Sequence, residues 1–412
     1  MPRLTDCLTP GARVFVAGMS GESALWLDEL RAEPERARGV HFTAVQFPGI
    51  DTADYLALDP TTSLTAFFMS PAVRAGIQQG RAELLALDYP GIARHLRDMP
   101  PVDVAVAQLS PPDADGYCSA GLSSDFLPLV WERAQRRVAH LNPRVPRTRG
   151  SFRVHASTLD ITVEADAPLL EFTESAGGAL EARIGALVAS LVRDGDTLQF
   201  GIGSVPSALA ASLAGHRRLR LHSGMVSPSM RTLWEAGALD RDARITTGVA
   251  LGPAAFHDFV AAHPTLWFTD VAHTHDVAMI AAIPRFIAIN SAVEVDLFGQ
   301  VNSERAGGAI QAGAGGLPAF AQGALASRGG RSMICLASTA RGGSVSRIVT
   351  ALGDKALCTL PRYMADVVIT EHGIAELRGL GLGARATALL AIAAPEHRDA
   401  LAAQWDTMRR TL

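Results

Sequence analysis

Long apolar runs are missing from this chain of 412 residues, although 48% of its residues are hydrophobic and its mean hydropathy is +0.17. The apolar stretches, such as residues 386–394, fall short of the roughly 18 residues that a membrane-spanning helix needs. The first residues show no apolar segment followed by a small-residue cleavage site, so no secretory signal is visible. We therefore expect a soluble, cytoplasmic protein with no membrane partner.

Cysteine is scarce, and the four cysteines show no C-x-x-C spacing, which argues against a zinc ribbon or a thioredoxin-like redox pair. The formal net charge is −4 with acidic and basic residues interspersed, so no nucleic-acid surface is indicated. His273 and His275 could form a metal pair, but they lack a clear third ligand. We predict no metal site and no nucleic-acid partner.

Two common catalytic motifs are also missing. No Walker A sequence occurs, which makes nucleotide hydrolysis a poor hypothesis. Ser20 lies in Gly-Met-Ser-Gly-Glu, which lacks the final glycine of a nucleophile elbow. The chemistry must therefore be sought in other residues.

Short apolar runs rich in Val and Ile alternate with helical patterns throughout the chain. In residues 180–192, five apolar side chains recur at helical spacing and share one face. This alternation predicts an α/β fold with mostly parallel sheets. We expect strands at residues 14–17, 104–108, 198–200, 286–289, 333–336 and 367–370.

A weak internal duplication divides the chain. Gly11 and Ser23 recur as Gly195 and Ser207 at an offset of 184, and a second pair of segments matches at offsets of 181 and 183. These matches suggest two tandem, similarly folded halves, although chance likeness of short strand-turn segments is an open alternative. We predict an N-terminal α/β domain at residues 1–178 and a C-terminal one at residues 179–412.

The segment from residue 201 to residue 206, Gly-Ile-Gly-Ser-Val-Pro, follows a predicted strand and opens a predicted helix. Ser204 is the expected N-cap, and backbone N–H groups at such a helix start can hold an anion or a carbonyl oxygen. A tight strand-to-helix turn without a ligand is at least as common. Gly201 and Gly203 are therefore no more than candidates for lining a substrate pocket.

Residues 289–304, INSAVEVDLFGQVNSE, form the most informative segment. Glu294 stands between Val293 and Val295, an unusual setting for a solvated carboxylate. A carboxylate held at a rigid strand end is a competent nucleophile toward a thioester. A strand-edge residue that only binds neighbouring backbone amides fits the spacing equally well. Asp296 is expected to organise the turn near Gly299 instead of acting in catalysis.

Two further segments follow predicted strands or helices. In the first, Thr-Glu-His-Gly at residues 370–373, Gly373 offers an N–H that can approach a ligand closely, while Glu371 and His372 could be acid–base groups or exposed loop residues. The second, the glycine-rich turn at residues 313–318, either lines a substrate pocket or is a flexible loop.

These segments, in this order, resemble the acetyl-CoA hydrolase/transferase family of class I coenzyme A transferases. GIGSVPSAL, HSGMVS, INSAVEVDLFGQVNSE, GGSVSRIV and ITEHGIAELRG resemble its C-terminal domain, and SPPDADGYCSAGLSSD and HLNPRVPRT its N-terminal one. The likeness covers nearly the whole chain. It implies two tandem open α/β domains with the active site in the cleft between them.

The resemblance also assigns roles to residues. Glu294 matches the catalytic glutamate, and Gly373 matches a glycine whose N–H is expected at the thioester oxyanion. Ile369 ends the strand beside the expected coenzyme A site. A second oxyanion and coenzyme A contact is expected from the loop Thr269, Asp270, Val271, Ala272 and His273.

The glycine loop departs from the family pattern. The family often has G-G-Q-x-D-F, whereas this chain has Gly315, Gly316, Leu317, Pro318, Ala319 and Phe320. Leu317 and Ala319 replace a polar and an acidic residue. We expect a less polar acyl pocket that favours apolar acyl chains, an expectation that a stray arginine in the cleft would reverse.

The resemblance implies a coenzyme A transferase that works by a ping-pong mechanism through a glutamyl-CoA thioester on Glu294. An acyl-CoA hydrolase of the same fold shares this nucleophile, and a non-catalytic CoA-binding protein is an alternative of another class. A sugar-phosphate isomerase on a related scaffold is a further one. We expect acyl-CoA and a small carboxylate as substrates, no permanently bound cofactor, and a homodimer.

Overall fold

The structure, a computed structural model, describes residues 3–411. Up to residue 173 its strands are β1 (Arg13–Val16), β2 (His41–Ala44), β3 (Ser63–Ala66), β4 (Ala82–Leu84), β5 (Val104–Leu109), β6 (Tyr117–Ser119), β7 (Arg136–Leu141), β8 (Arg153–His155) and β9 (Ile161–Glu164). From residue 174 they are β10 (Thr197–Phe200), β11 (Arg220–Leu221), β12 (Met225–Val226), β13 (Ile245–Thr247), β14 (Val249–Ala250), β15 (Leu266–Phe268), β16 (Phe286–Ser291), β17 (Glu294–Asp296), β18 (Val301–Asn302), β19 (Arg305–Ala306), β20 (Ala309–Ile310), β21 (Arg331–Cys335), β22 (Thr339–Ala340), β23 (Val345–Ser346), β24 (Ile348–Val349), β25 (Val367–Thr370) and β26 (Gly373–Glu376).

The α-helices are α1 (Ala24–Ala32), α2 (Pro71–Gln78), α3 (Tyr89–Asp98), α4 (Pro128–Trp131), α5 (Ala179–Ala189), α6 (Ser204–Ser212), α7 (Pro228–Glu235), α8 (Ala254–Ala262), α9 (Val271–Thr274), α10 (Val277–Ala282), α11 (Leu317–Ala326), α12 (Leu382–Ile392) and α13 (Pro395–Met408). In residues 3–411 no helix is long and apolar enough to cross a membrane.

The contacts divide the chain into two compact units. The first contains the chain up to Thr173 together with Gly224–Ser227 and Arg244–Thr274. The second contains Glu174–Ser223, Pro228–Ala243 and the chain from His275 onward. The chain therefore passes between the units several times, whereas the sequence suggested a single join. The boundaries of the two predicted α/β domains, 1–178 and 179–412, stay a prediction.

The first unit is built on a seven-stranded sheet in the order β4-β3-β2-β1-β5-β7-β9, and all its pairings are parallel. All six residues of β5 are buried, as expected for an inner strand of a parallel sheet that is covered on both faces. Its core includes Phe15, Phe67, Ile92 and Trp131, each at most 2% exposed.

The second unit is built on a six-stranded sheet in the order β11-β10-β16-β21-β25-β26. Only the β25–β26 pair is antiparallel. A three-stranded sheet in the order β18-β17-β24 lies beyond the end of β16. This small sheet carries Glu294, and its strands pack into a core with α11, α12 and α13 through residues such as Val295, Leu297 and Ile348.

The structure confirms the α/β prediction, the mostly parallel sheets and all six predicted strands. The helix predicted at 180–192 is present as α5, with Ile184 and Val188 fully buried, but it ends at Ala189. A second detail also differs: α6 begins at Ser204, so Gly203 and not Ser204 is the N-cap. Gly203 has φ 121, a conformation open only to glycine, which explains why the cap falls there.

Candidate active site

Glu294 is the first residue of β17, which pairs with β18 in antiparallel and with β24 in parallel register. The apolar neighbours Ala292, Val295 and Leu297 are buried in the core and fix the strand. The side chain of Glu294 is partly exposed, while the next residues are buried. Glu294 is therefore a partly exposed carboxylate on the first residue of a packed strand.

Asp296 organises the turn that follows, as predicted. Its Oδ1 accepts hydrogen bonds from the backbone N–H of Phe298 at 3.1 Å and of Gln300 at 2.8 Å. Its Oδ2 accepts from the Gln300 side chain at 2.7 Å and from the Leu352 N–H at 3.2 Å. Gly299 has φ 90, as the predicted turn requires. A fully buried carboxylate with four donors is a structural element, and this distinguishes Asp296 from Glu294.

Asn302 lies directly opposite Glu294 on β18. It is fully buried, and its Nδ2 donates to Glu294 Oε1 at 2.9 Å and to the Arg305 carbonyl at 2.8 Å. Its Oδ1 accepts from the backbone N–H groups of Glu304 and Arg305 at 3.1 and 2.9 Å. Because every polar atom of this amide is engaged, Asn302 holds one oxygen of Glu294 in place and leaves the other to react.

Arg347 fixes the backbone just before the carboxylate. Its Nε donates to the Val293 carbonyl at 2.6 Å and its Nη2 to the Ala292 carbonyl at 2.7 Å. Burial lowers the pKa of this guanidinium, and the nearby carboxylates of Glu371 and Glu294 oppose that change. The site therefore keeps a partly desolvated positive charge close to Glu294.

A chain of hydrogen bonds joins Arg347 to the predicted Thr-Glu-His-Gly turn. The backbone N–H of Arg347 donates to the Ser338 carbonyl at 2.8 Å. Ser338 in turn donates to the Glu371 carboxylate through its backbone N–H at 2.9 Å and its hydroxyl at 2.6 Å. Burial acts to raise the pKa of Glu371, but these two donors, together with the backbone N–H of Glu371 and the nearby His372, lower the pKa overall. Glu371 thus anchors the turn, which fits neither of the two roles considered from the sequence.

Glu294 and Arg347 line one pocket of about 440 Å³ in the second unit. Its remaining walls come from residues 305–308, 340–341, 345–346, 353 and 355–356 together with Val293. Three further cations, Arg305, Arg341 and Lys355, belong to these walls. The pocket therefore combines one carboxylate with four basic side chains.

The other predicted contact residues of the second unit lie on the β25–β26 hairpin. Ile369 is fully buried in β25, and Gly373 opens β26 with φ 149, which favours glycine. A Cβ on Gly373 would lie 3.6 Å from Ile392, an ordinary contact, so the backbone angle alone demands glycine. Their roles toward the oxyanion and coenzyme A stay predictions.

The sequence predicts a loop at residues 269–273; this segment belongs to the first unit, and its last three residues lie in α9. Its backbone is held by Thr247, which accepts from the Thr269 N–H at 2.9 Å, and by Asp125, which accepts from the Val271 N–H at 2.8 Å through its carbonyl. Val271 is buried, whereas Thr269, Asp270, Ala272 and His273 are partly exposed. The expected contact of this loop with coenzyme A stays a prediction.

The predicted pocket glycines occupy helix starts. Gly201 and Gly203 precede α6, and a Cβ on either would meet nothing within 4 Å. Gly316 is the N-cap of α11, where a Cβ would come within 2.5 Å of the His275 ring, and Gly315 has φ 60. The backbone angle favours glycine at residues 203 and 315, and the His275 ring requires it at residue 316, while the part of all four glycines in substrate binding stays a prediction.

Leu317 and Ala319 lie in the first turn of α11 and are only 7% and 1% exposed. Neither is among the residues that line the pocket of Glu294. Their assignment to the substrate pocket stays a prediction.

Sequence reasoning missed Asn302, Arg347, Ser338 and the further cations. Asn302 and Arg347 lie inside motifs that were noted, but their roles depend on which strand lies beside β17. Only the turn at Gly299 offered a signal, since an antiparallel return from it brings Asn302 opposite Glu294.

Comparison with known proteins identifies the relatives of this chain. The crystal structure of RipA from Yersinia pestis superimposes with a TM-score of 0.90 at 26% identity, covering 99% of this chain and 97% of that one. The structure of 4-hydroxybutyrate CoA-transferase from Porphyromonas gingivalis gives a TM-score of 0.81 at 29% identity, covering 100% and 97%. The fold is therefore the one found in coenzyme A transferases.

The family follows from sequence. Residues 4–172 match the acetyl-CoA hydrolase/transferase N-terminal domain, and residues 252–405 match the acetyl-CoA hydrolase/transferase C-terminal domain. The 4-hydroxybutyrate coenzyme A transferase of Clostridium kluyveri is 37% identical over 345 residues, which cover 82% of this chain and 80% of that protein. The chain belongs to the acetyl-CoA hydrolase/transferase family, and the resemblance recognised in the sequence is confirmed.

Proposed function

We propose that this protein is a coenzyme A transferase that moves CoA from an acyl-CoA to a free carboxylate through a glutamyl-CoA thioester on Glu294. The observation that carries the proposal is the partly exposed Glu294 carboxylate, held by Asn302 on a packed strand beside Arg347. Relatives named as CoA transferases over most of the chain support the same activity.

In the first half-reaction, a Glu294 carboxylate oxygen attacks the thioester carbonyl and expels CoA thiolate, which leaves an acyl-glutamyl anhydride. The thiolate then attacks the glutamyl carbonyl and expels the acyl group as a free carboxylate. In the second half, an acceptor carboxylate attacks the glutamyl-CoA carbonyl and expels thiolate, which then attacks the acyl carbonyl of the new anhydride. This last step releases the new acyl-CoA and restores the Glu294 carboxylate. No proton or ATP is consumed overall.

The protein must stabilise the oxyanion that forms in each addition. We assign this to the N–H of Gly373 and to the loop at residues 269–273, in line with the family resemblance. Loss of one such donor typically slows a reaction by about 100- to 1,000-fold. Arg347 adds a positive charge beside the carboxylate and fixes the two carbonyls that precede it.

The test is to trap the covalent intermediate. The protein is incubated with an acyl-CoA, reduced with borohydride and digested, and the mass of the peptide that contains Glu294 is measured. We expect the mass change of a reduced glutamyl thioester in the wild type and none in Glu294→Ala. An unmodified peptide in the wild type, with CoA turnover intact, would contradict the mechanism.

An acyl-CoA hydrolase is the second candidate, and the family description includes that activity. It would share Glu294 but let water attack the anhydride or the glutamyl thioester. Release of CoA without an acceptor carboxylate would favour it, whereas ping-pong kinetics that require an acceptor favour the transferase. A non-catalytic CoA-binding protein would form no adduct. The homodimeric state and the cytoplasmic location stay predictions, and light scattering tests the first.

A further inference from the structure

Lys355 is the only lysine in a chain with 37 basic residues, so arginine fills every other basic position. This one lysine lines the pocket of Glu294. Lysine differs from arginine in presenting a compact charge with three donors on a flexible stem. The pocket is thus the one place in the chain where this type of cation is used.

The pocket holds more positive charge than the proposed reaction needs. Four cations (Arg305, Arg341, Arg347 and Lys355) face one carboxylate, Glu294, which gives a local charge of 4 − 1 = +3 in a chain of net charge −4. With a monocarboxylate, the reacting groups carry a single negative charge at every stage, first on Glu294 and then on the thiolate or the released acid. One negative charge leaves most of these cations without a partner.

Two of the cations already donate hydrogen bonds to backbone carbonyls of the protein. Arg347 binds the Ala292 and Val293 carbonyls, and Arg305 Nη2 donates to the Gly308 carbonyl at 2.8 Å. Across residues 3–411, the side chains of Arg341 and Lys355 make no hydrogen bond and lie within 4.0 Å of no carboxylate. The adjacent Asp354 is not part of the pocket wall.

One sign of incomplete bonding lies in the same walls. The Nε of Arg305 is buried and has no hydrogen-bond partner among the described residues. An unpartnered buried donor is expected of a pocket that is completed by an anionic ligand.

We propose that Lys355 and Arg341 bind a second carboxylate of the substrate, so that this enzyme transfers CoA to or from a small dicarboxylate. The inference rests on the proposed function, because Glu294 must be the group that receives the acyl carbon. The phosphates of CoA are the other possible anion, but the pantetheine arm separates them from the thioester that reacts at Glu294. This substrate class reverses the expectation of an apolar acyl group.

The kinetic test compares succinyl-CoA with butyryl-CoA, two donors of equal chain length, using acetate as the acceptor. We expect Lys355→Met to lower kcat/KM for succinyl-CoA by about 10- to 100-fold, the usual effect of losing a charge-assisted hydrogen bond. Activity with butyryl-CoA should change by less than about two-fold. Lys355→Arg should keep most of the activity, and Arg183→Met, which removes an exposed cation from α5, should have no effect.

A second measurement does not depend on turnover. An amine-reactive ester can modify only Lys355 and the α-amino group, so peptide mass spectrometry reports the lysine alone. We expect succinate, but not butyrate, to slow labelling of Lys355 in the wild type. Far-UV circular dichroism checks that Lys355→Met is folded, which its exposed position favours.

Three results would overturn the inference. An equal loss with both donors, together with protection of Lys355 by CoA alone, would assign the lysine to a CoA phosphate. If kcat/KM falls with neither donor, or if succinate does not slow labelling of Lys355, the site binds no second carboxylate. A Glu294 adduct formed with butyryl-CoA but not with succinyl-CoA would reject the dicarboxylate while leaving the proposed function intact. Absence of an adduct with any donor would instead reject the proposed function.

Discussion

The side-chain amide of Asn302 donates a 2.9 Å hydrogen bond to Oε1 of Glu294, and the two residues face each other across an antiparallel strand pair. Asn302 is fully buried, so its position is set by the core and not by solvent. The turn around Asp296 and Gly299 fixes the register that brings them together. The orientation of the proposed nucleophile is therefore built into the hairpin.

Asn302→Asp should slow formation of the glutamyl-CoA adduct by about 10- to 100-fold, because a second carboxylate would replace the donor next to Glu294 and repel it. The remaining oxygen can still accept from the Glu304 and Arg305 N–H groups, so the hairpin should persist. Adduct formation is followed by rapid-quench mass spectrometry. An unchanged rate would show that Asn302 does not orient the nucleophile.

Arg347→Met should reduce both activity and stability. The substitution removes two charge-assisted hydrogen bonds to the carbonyls before Glu294, each worth about 1.5–3 kcal/mol when a charged group donates. We expect a lower Tm and a fall in kcat that exceeds any rise in KM. Arg347→Lys, which keeps the charge but cannot donate to both carbonyls in the same geometry, should recover stability only in part. Wild-type kcat in Arg347→Met would contradict a positioning role.

Much of the fold could be predicted from the sequence, because buried parallel strands are nearly continuous apolar runs. The duplication also has a structural counterpart. β1 pairs with β5 with Val14 opposite Val104, and β10 pairs with β16 with Leu198 opposite Ile287. The first strand of each pair, β1 and β10, follows a glycine in the left-handed region, Gly11 and Gly195 respectively. The matched segments of the sequence therefore lie at β1 and β5 in one sheet and at β10 and β16 in the other.

The environment of the site could not be predicted in the same way. Glu294 and Asp296 look alike in sequence, yet Asp296 is buried among four donors and Glu294 is not. Arg347 and Lys355 lie 53 and 61 residues after Glu294, and nothing local indicates that β24 pairs with β17. Leu317 and Ala319 are buried in the first turn of α11, and no local pattern indicates which surface such side chains face. Long-range pairing and burial, which no local pattern contains, decide these points.

Asp125→Asn should stabilise the protein at high pH. Burial raises the pKa of Asp125 to about 6, above the ordinary value of 3.8, and its buried Oδ2 has no hydrogen-bond partner within residues 3–411. A raised carboxyl pKa contributes stability that is complete below about pH 4 and is lost as the pH rises through about 6. The asparagine side chain at position 125 of the variant does not titrate. The Tm difference between variant and wild type should therefore increase from pH 5 to pH 8 by the equivalent of about 1–1.5 kcal/mol, because only the part of the titration above pH 5 falls in this interval. A pH-independent difference would contradict the assignment.

Ser338→Ala should destabilise the protein at neutral pH and not in acid. The Ser338 hydroxyl donates to Glu371 at 2.6 Å and helps to hold the pKa of that carboxyl below its ordinary value. A lowered carboxyl pKa contributes stability above the unfolded pKa near 4.5 that is lost as the pH falls through the folded pKa. We expect a loss of about 1 kcal/mol at pH 7 that fades below about pH 4. Ser346→Ala is the matched control, because its hydroxyl donates at the same 2.6 Å to the neutral Ile348 carbonyl, and its effect should not depend on pH. Thermal unfolding of both variants at pH 7 and pH 3.5 separates the cases, and parallel losses would show that Glu371 is not the charge that Ser338 stabilises.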